Sequence, residues 1–85
     1  MKLSRPLTQE NFVVITKPAR RLLDIEEGDI IEVEISHRGT TIHEIKKMSS
    51  NGRIYISQKL RDALDVKEGD IITLDIKNVV KRERR

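Results

Sequence analysis

The 85-residue chain predicts a mainly β domain with two short helices, folded as a closed six-stranded barrel of two β-β-α-β repeats. Three observations predict it. A nine-residue phrase is spelled twice, "LDIEEGDII" at Leu23–Ile31 and "LDVKEGDII" at Leu64–Ile72. Each phrase runs into a segment of strict apolar/polar alternation. One unit of about 40 residues has too little apolar surface to fold alone, so the two copies must bury their inner faces against each other.

Laying Gly69 over Gly28 aligns Phe12–Ile35 with Arg53–Ile76 without a gap. Identities fall at Ile15/Ile56, Arg20/Arg61, Leu23/Leu64, Asp24/Asp65, Glu27/Glu68, Gly28/Gly69, Asp29/Asp70, Ile30/Ile71, Ile31/Ile72 and Ile35/Ile76. Each repeat opens with a strand, at Lys2 to Leu7 and at Thr41 to Met48. Tight "TQEN" and "SSNG" turns lead from these to the short β-branched strands Phe12–Ile15 and Ile54–Ile56. Thr16 and Ser57 stand where an N-cap opens a helix. Pro18 is tolerated in the first turn, and Ala19, Leu22 and Leu23 form an apolar face matched by Leu60, Ala63 and Leu64. Each helix is about two turns long and depends on tertiary packing.

"EEGD" and "KEGD" follow as turns, with glycine at positive φ and the aspartate accepting from nearby backbone N–H groups. In the last strands Ile31, Val33 and Ile35 oppose Glu32 and Glu34, and Ile72, Leu74 and Ile76 oppose Thr73 and Asp75. The domain therefore spans residues 1–78, as repeats 1–37 and 38–78, with a basic tail over 79–85.

Composition narrows the function. The absence of cysteine removes disulfides, thiolate metal sites and thiol nucleophiles. No long apolar run spans a membrane and "MKLSRPLTQE" lacks a signal-peptide core, which together with the missing cysteines points to a cytoplasmic protein without membrane partners. One Phe, one Tyr and no Trp argue against stacking platforms for single strands. The formal charge is +3, but residues 77–85 carry +4, so the body is near neutral and any binding face must be found by position. Asp29 and Asp70 each follow a turn glycine, which marks them as structural rather than a catalytic pair. His37 and His43 flank the "SHRGTT" turn without a third ligand nearby, so no metal site is expected. No glycine-rich phosphate loop or Ser-His-Asp spacing is present, and neither an enzyme nor a cofactor is expected.

The short strand, the short helix carrying Leu and Arg, the Gly-Asp turn and the alternating strand resemble the AbrB/SpoVT type of cradle-loop barrel. "NGRIYISQKLRDALDVKEGDIITLDI" (Asn51–Ile76) matches best. Asn11-Phe12 replaces the family's Gly-Arg pair in the first copy, and Thr16 and Ser57 stand where its proline is usual. The resemblance implies a fused tandem pseudo-dimer with a swapped-hairpin barrel; double-psi and RIFT barrels share the Gly-Asp turn and stay open as alternatives.

The resemblance also implies a DNA-binding transcriptional regulator or antitoxin, monomeric or homodimeric, with double-stranded DNA and a toxin as partners. Carried over by position, DNA contacts fall on Arg5, Arg20 and Arg21 in the first copy and on Lys46, Arg53 and Arg61 in the second, with Lys17, Lys47 and Lys59 extending the patch. Arg20 and Arg61 are the basic pair identical in both copies. The same arginines also read as the solvated face of two small helices. The tail "KRERR" reads either as a phosphate-binding arm or as a solubilising end. The alternative function is a structural or protein-interaction barrel without DNA binding, of natural or reconstructed origin.

Overall fold

A computed structural model describes residues 1–82. The elements follow the β-β-α-β order twice: β1 (Lys2–Pro6), β2 (Phe12–Val14), α1 (Lys17–Leu23) and β3 (Ile30–His37), then β4 (Thr40–Lys47), β5 (Arg53–Tyr55), α2 (Gln58–Leu64) and β6 (Ile71–Val80). A single 3-10 turn at Ser50–Gly52 precedes β5.

The expected closed six-stranded barrel is not formed, in either the swapped-hairpin or the double-psi and RIFT version. The strands divide into an open four-stranded sheet, ordered β1-β6-β3-β4, and a separate two-stranded ribbon of β2 and β5. The ribbon strands are three residues long and consume their hydrogen bonds on each other, Phe12 opposite Tyr55 and Val14 opposite Arg53. Asn11 (φ 68°) and Gly52 (φ 75°), in the left-handed region, turn the chain out of the sheet just before the ribbon strands. Sheet and ribbon share one apolar core, and a side chain bonds them as well: Arg5 Nε donates to the Val14 carbonyl at 2.8 Å.

Every strand pair joins one repeat to the other: β1 with β6, β3 with β4, β3 with β6, β2 with β5. Four of the backbone bonds outside the strands do the same, in matched pairs. Gly28 N–H donates to Met48 O and Gly69 N–H to Leu7 O, both at 2.8 Å; Ile15 N–H donates to Gly52 O and Ile56 N–H to Asn11 O, again at 2.8 Å. Neither copy therefore has a β-sheet of its own, which is the physical content of the expectation that the copies fold only together.

The alternation of β3 and β6 holds: Ile31, Val33, Ile35, Ile72 and Leu74 are completely buried, and the core continues through Val13, Ile15, Ile54 and Ile56. The helices bury a narrower stripe than expected. Ala19, Leu60 and Leu64 are buried and Leu23 is partly so, whereas Leu22 is 72% exposed and its counterpart Ala63 is exposed. With seven residues per helix, only the i, i+4 positions reach the core. Ser57 caps α2 by accepting from Leu60 N–H at 3.2 Å, but Thr16 makes no such side-chain bond at α1.

Candidate nucleic-acid interface

Helical side chains lean toward the N-terminus of their helix, and the repeated arginine uses that lean. Arg20 Nη1 donates to Ile15 O and Arg61 Nη1 to Ile56 O, both at 2.6 Å. The two bonds are related by the repeat and tie each helix to the end of the ribbon strand before it. Their identity in both copies thus has an internal cause, whatever else the guanidiniums touch. Gly52 is required there, because its φ is positive and a Cβ would run into Arg20 Nη1 and the Ile15 carbonyl oxygen.

Arg53 leaves β5 on the outer face of the ribbon. Its Nε and Nη2 donate to Ser50 O (3.1 Å) and Ser50 Oγ (2.7 Å), and its Cζ lies 5.2 Å from the centre of the Phe12 ring. Phe12 in turn meets Tyr55 edge to face at 6.1 Å, and Tyr55 is 49% exposed. Phe12, which stands in the first copy where Arg53 stands in the second, is therefore the shelf on which Arg53 rests.

Arg5 and Arg20, from two different elements, bond the consecutive carbonyls Val14 O and Ile15 O where β2 ends, and Arg53, the register partner of Val14, rests on Ser50 and Phe12. An arginine has five N–H donors; Arg5 and Arg20 each use one in these bonds and Arg53 two. Arg61 holds the matching place at β5. Lys46, the counterpart of Arg5, is instead turned toward Glu44 at 3.7 Å. Arg21, Lys17, Lys47 and Lys59 are exposed.

Lys17 and Lys59 lie in the first turns of the helices, which adjoin the ribbon; the last turns carry Arg20 and Arg21 in α1 and Arg61 in α2, and Asp24, Glu26 and Glu27, or Asp65, Lys67 and Glu68, follow them. The outer face of the four-stranded sheet carries internally paired charge. Lys77, the extra residue at a bulge in β6, bonds Asp75 at 2.9 Å and lies 3.6 Å from Glu34; His43 Nε2 meets Glu32 at 2.7 Å. The bond to Lys77 holds the Asp75 carboxyl below its ordinary value and Lys77 above its own.

The two Gly-Asp turns keep the expected local geometry. Gly28 and Gly69 have φ of 90° and 86°, and the aspartates accept from Glu26 N–H (2.8 Å) and Lys67 N–H (3.0 Å). Two features were not visible in the sequence. Lys81 Nζ donates to Asp29 at 2.6 Å and to Asp24 O at 2.6 Å, and Arg82 N–H donates to Asp29 at 2.8 Å. His37 is buried, its Nδ1–H donates to Leu64 O at 2.8 Å, and its Nε2 lies 3.7 Å from Asp70. The first residues of the basic tail are thus built into the fold, and β6 itself runs through Val80; residues 83–85 of the expected arm lie outside the described residues.

Among the described residues no cluster of three or more His, Cys, Asp or Glu could hold a metal ion, and no helix is long and apolar enough to cross a membrane. No protein-family model and no curated protein matches the chain. Its fold is similar to the solution structure of PHS018 from Pyrococcus horikoshii, at a TM-score of 0.86 and 21% identity, over 98% of this chain and 95% of that one. At that identity the likeness shows the fold alone.

Proposed function

We propose that this is a nonenzymatic, cytoplasmic DNA-binding protein, a regulator or antitoxin of the AbrB-like kind, that docks double-stranded DNA against the β2–β5 ribbon. The observation that carries the reading is that three arginines are anchored on or beside the ribbon, Arg5 on Val14 O, Arg20 on Ile15 O and Arg53 on Ser50 and Phe12. A guanidinium already held by protein carbonyls loses little further freedom on meeting a phosphate or a base edge, and its five N–H donors can serve both partners. A two-stranded ribbon is one of the elements that a B-form major groove admits. Lys17 and Lys59, at the starts of the two helices, are exposed cations that suit phosphate contacts.

The structure changes how this reading is tested. Removing Arg20 or Arg61 also removes an internal hydrogen bond, so loss of binding in those variants is ambiguous. Lys17→Gln with Lys59→Gln neutralises two exposed cations and leaves those bonds in place. Fluorescence anisotropy of the full chain on a mixed-sequence duplex across a salt series is expected to show a steep slope in the wild type. In the double variant the slope falls by about 2, one for each lost phosphate contact. An unchanged slope, or no binding by the wild type at low salt, contradicts the reading.

A further inference from the structure

The β4 edge is the part of the molecule whose sequence complements itself. β4 closes one side of the four-stranded sheet with eight residues, "TTIHEIKK", and among the described residues no strand pairs with its outer edge. The opposite edge, β1, is five residues long and ends in Pro6, which has no N–H to donate to a neighbouring strand. β6 is interior, with Ile76–Val80 paired to β3. A strand of this length, without proline and with an edge that no other described strand pairs, is a template for another strand, although α2 lies beside its inner face. At its middle Ile45 is 61% exposed, flanked by Glu44 and Lys46 on the opposite face of the sheet.

We propose that the β4 edge pairs antiparallel with β4 of a second copy, about a two-fold axis passing through Ile45. Residues directly opposite in an antiparallel pair point to the same face, so registers that keep both sheets continuous pair residues of matching parity. Centring on Glu44 sets two carboxylates against each other, and centring on His43 sets Glu44 against Ile42. Centring on Ile45 places Ile45 against Ile45 of the partner subunit. It also places Glu44 against Lys46 of the partner subunit, twice by symmetry. The present Glu44–Lys46 contact within one strand, at 3.7 Å, is thereby exchanged for two across the interface. His43 falls opposite Lys47 of the partner subunit, with Glu32 already bonded to His43 to balance the charge. The partner is thus a second copy of this chain, and the joined sheet has eight strands.

The test is sedimentation equilibrium on the full chain and on two variants, Glu44→Lys and Lys46→Glu. Each variant alone places like charges opposite each other twice, and the dimer dissociation constant is expected to rise about tenfold or more. An equimolar mixture of the two variants restores opposite charges at both positions and is expected to return to wild-type association. Rescue by mixing needs both variants folded and names this register, which a general loss of stability does not imitate. A wild type that stays monomeric at all concentrations, or association that neither variant weakens, overturns the proposal. So does weakening that mixing fails to rescue.

Discussion

The two Gly-Asp turns are spelled almost alike and are held in place differently. Around Asp29 the carboxylate is buried, 1% exposed, and is clasped by the Lys81 ammonium and the Arg82 backbone from the end of β6. Around Asp70 the side chain is 34% exposed and faces the ring of His37, from the end of β3, at 3.7 Å. In each case the end of a last strand from one copy closes the turn of the other. The local geometry is written in the phrase itself; the energetics are written far along the chain, 52 residues from Asp29 to Lys81 and 33 from His37 to Asp70, in whatever the other copy supplies. A repeat can keep its backbone while one copy becomes a buried clasp on Lys81 and the other a longer, half-exposed contact with a histidine ring.

The largest expected difference comes from removing the two aspartates. Asp29→Ala removes the buried carboxylate that holds Lys81 and that accepts from the Glu26 and Arg82 N–H groups, and is expected to cost about 3 kcal/mol. Asp70→Ala loses one backbone bond and a partly exposed contact, at about 1 kcal/mol. Urea unfolding of both variants checks the ratio, and equal losses would break the comparison. A stop codon after Val80 is expected to approach the Asp29→Ala loss, because it strands the same carboxylate from the other side.

Acid sharpens the contrast. Burial alone would raise the Asp29 carboxyl, but the hydrogen bonds from Lys81 and the Arg82 backbone and the charge of both residues more than reverse it, so its folded value lies below the ordinary one. A carboxyl lowered on folding contributes stability that is present above its unfolded value, near 3.9, and is lost as pH falls through the folded value. Unfolding free energy measured against pH is expected to drop below about pH 4 in the wild type and to drop less steeply in Asp29→Asn. A slope unaltered by Asp29→Asn would remove the clasp from the account.

The smallest effect separates the glycines. Both have positive φ, so Gly69→Ala costs about 1 kcal/mol although nothing lies within 4 Å of the added Cβ. Gly28→Ala adds a contact of 2.7 Å with Arg82 Cδ and is expected to cost a few tenths of a kcal/mol more, since that side chain can shift. Thermal melts of the two variants give the order.

Much of the fold was legible because it is local or periodic. The repeat marked the eight regular elements, alternation marked the buried faces of β3 and β6, and the glycines marked the turns. Closure was not legible. Whether six strands make one barrel depends on whether three-residue strands have hydrogen bonds to spare and on a side-chain link from Arg5 to Val14, and neither has a signature in the chain. Leu22 was assigned to the core because periodicity does not say how wide a stripe two turns can bury. In the site, the Arg20/Arg61 identity was visible, but so strict a repeat also marks a bond to the protein's own backbone. The Phe12 shelf beneath Arg53 and the clasp on Asp29 join residues about 40 and 50 positions apart, beyond any local pattern.

The most direct measurement is an amide NMR titration of the full, isotope-labelled chain with a mixed-sequence duplex. The account predicts that the shifts gather at Val14, Arg20, Arg53 and Tyr55 and along the first turns of both helices, and that the paired Glu32–Glu34 face stays quiet. Shifts confined to Lys81 and the residues after it would contradict the ribbon as the binding surface.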